Sequence, residues 1–314
     1  MTKPIHGIHH ITAISADPQA GINFYSGLLG LRLVKLTVNF DDPGTYHLYF
    51  GDAQGSPGSI LTFFPYVGAR PGKVGEGQVS AIAFSIASSA VEFWALRLAR
   101  AGISAIGPIE RNGRAVIAFA DPDGLPLELV ADDSRAGKYW APGKILAEHA
   151  IRRFHGVTMA ITNHGETAEL LKRHLGLKEL GTSADRASFR VGEGDNAQYV
   201  DLLKPPAGAN GRGGSGTVHH IAWRCYDADQ PGWRSRIAEL GYQVTPIVDR
   251  KYFHSIYFRE PGGVLFEIAT DEPGFTVDQT EEALGSNLTL PDWLEGSRAQ
   301  IELRLPPVKL PALT

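Results

Sequence analysis

Two adjacent histidine pairs dominate the residues able to do chemistry: His9-His10 in IHHITAI and His219-His220 in VHHIAWRC. Both stretches alternate apolar and polar residues as half-buried strands do, with successive side chains on opposite faces. In the first, Ile11 and Ala13 form the face a helix would cover, so His10 and Thr12 point to the concave side. In the second, Ile221 and Trp223 lie opposite His220 and Ala222. A third strand, GVLFEIAT, puts Val264, Phe266 and Ile268 on one face and Leu265, Glu267 and Ala269 on the other. Parity thus selects His10, His220 and Glu267 as cavity-facing. Two imidazoles and one carboxylate on rigid strands, with no fourth protein ligand in view, suit Fe(II), whose open positions admit substrate and dioxygen. Taken singly, a histidine at a strand start is more often a half-exposed polar residue; the organisation of the chain raises these above that.

That organisation is a repeat. An offset of 139 aligns residues 79–132 with 218–271 without a gap, with identity at 14 of 54 positions, among them Trp94/Trp233, Arg111/Arg250 and Glu128/Glu267. A weaker offset of 146 sets His9-His10-Ile11-Thr12 against His155-Gly156-Val157-Thr158. Four related units follow, at 6–66, 79–132, 154–204 and 217–271. Each reads as a short strand, a helix closed by a glycine, then two or three strands broken by turn pairs such as Asp-Gly and Pro-Gly-Gly. One βαβββ unit leaves a face of its curved sheet uncovered, so units must pair. The expected fold is α+β, four βαβββ modules paired into two domains. Along the chain this gives a first half over 6–132, a linker over 133–153, a second half over 154–271 and a covering tail over 272–314. In units two and three the ligand positions hold Ala81 and Gly156, although Glu128 matches Glu267, so one competent and one vestigial site are expected. His10 belongs to unit one, whereas His220 and Glu267 belong to unit four. A shared metal therefore requires pairing of one with four and of two with three. The closing strand of unit one, SILTFFPY, offers no carboxylate as a fourth ligand, which argues against a closed or non-redox four-ligand site.

Composition narrows the partners. Among 314 residues, 30 are basic and 34 acidic, for a formal charge of −4, without the basic clusters a nucleic-acid surface requires. No apolar run approaches the ~18 residues of a membrane span, and the start MTKPIHGIHH lacks the features of a secretion signal, so a cytoplasmic location is expected. A single cysteine, Cys225, restricts any metal to nitrogen and oxygen ligands. The glycine-rich GANGRGGSG at 208–216 precedes no helix and reads as a loop rather than a phosphate cradle. A small molecule is the expected partner, with homo-oligomerisation left open.

HHITAI, HLYFGD at 47–52, VHHIAW and LFEIATDEPGF at 265–275 resemble the vicinal-oxygen-chelate superfamily, also called the glyoxalase/bleomycin-resistance/extradiol-dioxygenase superfamily. More narrowly, they look like its hydroquinone ring-cleaving dioxygenases, over nearly the whole chain. The resemblance implies Fe(II) held by His10, His220 and Glu267, the three that parity selects, with Mn(II) as the alternative metal. It further implies an active-site tyrosine and arginine at Tyr257 and Arg250. In the vestigial copy Tyr257 is replaced by Ala118, which fits a functional tyrosine, whereas Arg250 is retained as Arg111 and fits a structural role equally well. His9 and His219 resemble family residues placed near the ring, although parity turns them away.

The expected reaction inserts O2 beside a phenolic hydroxyl of a hydroquinone or catechol. Tyr257 or a histidine of the pairs would serve as acid/base, and Arg250 would favour an ionised phenolate. Thr12 is a candidate substrate contact, and Phe63, Phe64 and Phe275 are candidate apolar closers; His47 carries no specific signal. The rival readings are a non-redox glyoxalase, isomerase or thiol transferase using Zn, Ni or Mn on the same fold, and a small-molecule binding protein.

Overall fold

The computed structural model describes residues 3–134, 137–140, 142–143 and 145–311. Unit one supplies β1 (Ile8–Ser15), β2 (Arg32–Asn39), β3 (Asp42–Gly51) and β4 (Ile60–Pro65). Unit two supplies β5 (Gln78–Ile86), β6 (Ala105–Arg111), β7 (Arg114–Ala120) and β8 (Pro126–Ala131). Unit three supplies β9 (Phe154–Ala160), β10 (Lys178–Thr182), β11 (Arg186–Val191) and β12 (Gln198–Leu203). Unit four supplies β13 (Thr217–Cys225), β14 (Val248–Asp249), β15 (His254–Arg259) and β16 (Leu265–Thr270). Among the described residues these strands form two eight-stranded sheets, ordered β14-β15-β16-β13-β1-β4-β3-β2 and β10-β11-β12-β9-β5-β8-β7-β6. The architecture is α+β, with units one and four sharing one sheet and two and three the other. In each sheet the opening strands of the two units meet antiparallel at the centre, and each is flanked in parallel by its own unit's closing strand.

Each opening strand leads into a helix: α1 (Pro18–Ile22), α2 (Val91–Arg100), α3 (His164–Glu169) and α4 (Gln230–Glu239). Trp94 on α2 and Trp233 on α4, aligned by the repeat, are both wholly buried, and the chain turns after each helix at a glycine with positive φ, 72° at Gly102 and 86° at Gly241. That left-handed conformation is open to glycine at little cost. The helix-covered faces of both sheets join in one apolar core, where Ile11, Leu48 and Ile221 from one sheet meet Ile82, Val157 and Met159 from the other. The tail carries α5 (Asp292–Glu295) and α6 (Arg298–Arg304). It runs beside the edge strand β2, where Thr289 N–H donates to the Leu36 carbonyl at 3.0 Å. It is anchored by the buried Lys35, whose Nζ donates to Asp278 Oδ1 and Gln279 Oε1, each at 2.6 Å. No helix among the described residues is long and apolar enough to cross a membrane.

Between the paired opening strands the register slips twice in each sheet, and further shifts lie in the β2–β3, β6–β7 and β10–β11 pairs. Between β1 and β13 the register steps from Ile8↔Trp223 to His10↔Ala222, leaving His9 as an extra residue, and from Thr12↔His220 to Ala13↔Val218, leaving His219 as one. The other sheet repeats the pattern at Ser80 and His155. A bulge inserts one residue and re-aims its neighbours. This corrects the parity expectation for His219, which lines the same cavity as His220, whereas His9 keeps its contact with His10 and faces another cavity.

Candidate metal centre

The bulges bring four histidines together. His10 Nε2 and His220 Nε2 lie 3.2 Å apart, and Glu267 Oε2 lies 3.3 Å from the first and 2.9 Å from the second. All three side chains are buried. β1 carries His10, the adjacent β13 carries His220, and β16 brings Glu267 opposite Ala222, so three neighbouring strands fix the cluster. Spacings near 3 Å are those of ligands around one ion with bonds of about 2.1 Å. Two observations test the fit to a divalent metal. Glu267 Oε2 is buried without a hydrogen bond, an expensive state unless a cation meets it, while Oε1 accepts from Ser255. Both imidazoles also turn Nδ1 away from the centre, toward their bulged neighbours: His9 Nδ1 lies 2.9 Å from His10 Nδ1, and His219 Nδ1 lies 2.7 Å from His220 Nδ1. Burial lowers the pKa of His9 strongly and that of His219 to about 4, so both are neutral and can accept through Nδ1. Accepting from the ligand rings fixes the tautomer that leaves each Nε2 lone pair for a metal. Burial opposes the charge on Glu267, but the facing His10 and His220 rings hold its pKa well below the usual range.

The fourth ligand position is also identifiable. His10 and His220 are equivalent, so Thr12 corresponds to Ala222, and the partner of Thr12 on the closing strand, Thr62, stands where unit four has Glu267. Thr62 Oγ1 is 2.8 Å from Thr12 Oγ1 and 2.8 Å from His47 Nε2. A hydroxyl engaged on both sides stands there in place of a carboxylate, so three potential ligands converge among the described residues.

A cavity of about 260 Å³ opens on the cluster. Arg250 and Tyr257 line it, with Arg250 Nε donating to the Tyr257 hydroxyl oxygen at 3.1 Å and Asp41 holding the guanidinium from the other side at 3.0 Å. Burial, with the Glu267 charge, raises the pKa of Tyr257, so the phenol is protonated at neutral pH. His219 lines the same cavity, as do Phe64 and Phe253. His9 instead lines a neighbouring cavity and touches this site through His10 and, edge to face, through Phe253.

Three expectations need correction. Thr12 is wholly buried beneath the cavity and reaches it only through Thr62 and His47. Phe275 packs against Tyr49 and Tyr252 and lines the neighbouring cavity. Phe63 belongs to the helix-side core, against Tyr25. Conversely, His47 and Tyr49, on one face of β3, belong to the wall. Tyr49 O–H donates to His47 Nδ1 at 2.9 Å when the ring carries its proton on Nε2, the tautomer that also serves Thr62. Their spacing of two residues in HLYFGD, with Leu48 and Phe50 facing the core, was the signal available for them.

Residues 7–129 and 153–268 match the family described as the Glyoxalase/Bleomycin resistance protein/Dioxygenase superfamily. The chain is 48% identical, over 99% of its length and of the relative's, to a Bacillus subtilis (strain 168) protein named "Putative ring-cleaving dioxygenase MhqO". It is 33% identical, over 96% of each chain, to the "Chlorohydroquinone/hydroquinone 1,2-dioxygenase" of Sphingobium indicum. The crystal structure of a "putative dioxygenase" from Bacillus subtilis subsp. subtilis str. 168 superimposes with a TM-score of 0.93 at 47% identity, covering 98% of this chain and 99% of that one. Glyoxalase I from Zea mays, at 14% identity and a TM-score of 0.62 over 84% of this chain and 92% of its own, shares the fold. The chain belongs to the glyoxalase/bleomycin resistance protein/dioxygenase superfamily. Within it, the chain is an enzyme of the dioxygenase class.

Proposed function

We propose that this enzyme cleaves the ring of a hydroquinone- or catechol-type aromatic beside a phenolic hydroxyl, consuming O2, with Fe(II) held by His10 Nε2, His220 Nε2 and Glu267. The observation that carries this reading is the convergence of three buried donor atoms with no fourth protein ligand among the described residues, Thr62 standing where a second carboxylate would. Bound there, Fe(II) would supply the electronic route by which ground-state dioxygen reacts with an aromatic ring. The remaining tasks fall to this chain. Phe64 and Phe253 present apolar ring faces that exclude water from a cavity sized for a single ring. Arg250, fixed by Asp41 and Tyr257, favours an ionised oxygen on the substrate. Tyr257, protonated at neutral pH, is placed to give a proton to a ring oxygen and take it back. Neutral His219 stands at the wall with Nε2–H as a second donor, while its Nδ1 accepts from His220.

The test is anaerobic reconstitution with Fe(II), then oxygen-electrode measurement over a panel of hydroquinones and catechols. Oxygen uptake matched by loss of aromatic absorbance is expected. No uptake with any phenol, together with tight Zn(II) or Ni(II) binding, would return the site to non-redox chemistry.

A further inference from the structure

The sheet built by units two and three contains a cavity of about 570 Å³, larger than that at the metal centre. Its origin is legible in the repeat. Where the first sheet has His220 and His10, this one has Ala81 and Gly156, and a Cβ at Gly156 would stand 2.0 Å from the Tyr199 carbonyl oxygen. A histidine cannot return there without moving the backbone. The two closing-strand ligand positions both hold carboxylates, Glu128 opposite Ala83 and Asp201 opposite Thr158. Neither is available to a metal. Arg111 grips Glu128 through two hydrogen bonds of 2.9 and 2.7 Å, and Arg186 pairs with Asp201, whose other oxygen accepts from Ser188 at 2.6 Å.

With those two pairs neutralised, the cavity wall still carries Arg114 and Arg190. Arg190 Nε is buried with no hydrogen-bond partner among the described residues, and Arg114 pairs loosely with Asp132, Nε to Oδ2 at 3.7 Å, while its guanidinium lies 5.5 Å from the centre of the Tyr199 ring. Beside them stand the rings of Tyr199 and His155, 4.7 Å apart and tilted by 34°, and the floor is the small apolar set Ala83, Val116 and Val130. We propose that this cavity is a second, metal-free binding site for a small aromatic carboxylate, its anion held by Arg190 and Arg114 and its ring lying against Tyr199. Two guanidinium groups match a carboxylate, and the small floor residues leave room for the ring.

Benzoate is the probe, titrated calorimetrically into the full-length protein. Saturable binding is expected, weakened about tenfold by Arg190→Gln, as for loss of a charge-assisted hydrogen bond, and largely restored by Arg190→Lys. His10→Ala should leave the affinity unchanged, which separates this site from the metal centre and its fate from that of the proposed reaction. If Arg190→Gln fails to fold, Arg114→Gln carries the same expectation. Absence of saturable binding overturns the proposal, as does equal binding of benzyl alcohol, or binding that survives the arginine substitutions and disappears in His10→Ala.

Discussion

The side chains that matter at the first sheet's centre are distinguished less by type than by which atom each leaves free. Of the four clustered histidines, His10 and His220 have Nδ1 occupied by a neutral neighbour and Nε2 aimed at Glu267. A histidine without such a partner is free to change tautomer or rotate, and its affinity for a metal falls accordingly. Tyr257 is the residue whose role is most open to measurement. It is buried, protonated and braced by Arg250, and the equivalent position in the other sheet is Ala118. Replacing it with phenylalanine keeps the ring packing and removes only the hydroxyl. Tyr257→Phe is therefore expected to lower kcat by about a hundredfold, the usual weight of a positioned acid/base, with metal content unchanged. Unaltered turnover would make Tyr257 a packing residue.

The elements carry a second device that sequence patterning did not expose. The turn between β7 and β8 holds Asp121, whose Oδ1 accepts from the Asp123 and Leu125 N–H groups while Oδ2 accepts from the Tyr25 hydroxyl of unit one at 2.8 Å. The matching turn in unit four holds Glu260, which accepts from Thr167 of unit three at 2.6 Å. Units adjacent in sequence are thus stitched by buried carboxylates although they sit in different sheets. Burial raises the pKa of Asp121 to about 6. The folded chain then binds this proton more tightly than the unfolded chain, so the contribution to stability is full below pH ~4 and is lost as pH rises through about 6, a term of at most ~3 kcal/mol. Asn at this position keeps both backbone contacts on its oxygen and offers its amide to Tyr25. Asp121→Asn should therefore gain on the wild type between pH 4 and 7 in denaturant titrations, whereas parallel curves would remove Asp121 from the account. The βαβββ units and the carboxylate strand were legible because alternation and turn pairs are local signals. His219 was misplaced because a bulge depends on the partner strand's register. Thr12 was misplaced because parity gives a face and not the depth below a cavity, and Phe275 because it follows the last strand, where no parity applies.

At the scale of the molecule, two sheets of one topology have taken different courses. In the first, buried apolar residues including Tyr49, Tyr252, Phe253 and Phe275 fill much of the hollow and leave a small cavity over three ligands. In the second, only Ala83, Val116 and Val130 form such a cluster among the described residues, and both carboxylates are paired with arginine. The pairing of unit one with unit four could be argued from sequence because His10 would otherwise be stranded from His220 and Glu267. The volume and charge of the second hollow could not, since they depend on side chains from β7, β11 and β12 meeting across it. The central claim is that units one and four together make one metal site and that the other sheet makes none. Metal analysis after anaerobic Fe(II) loading of the wild type, His10→Ala and Glu128→Gln, each checked for folding by circular dichroism, tests it most directly. One tightly held iron per chain is expected in the wild type and in Glu128→Gln, and almost none in His10→Ala. Full iron content in His10→Ala, or its loss in Glu128→Gln, would contradict it.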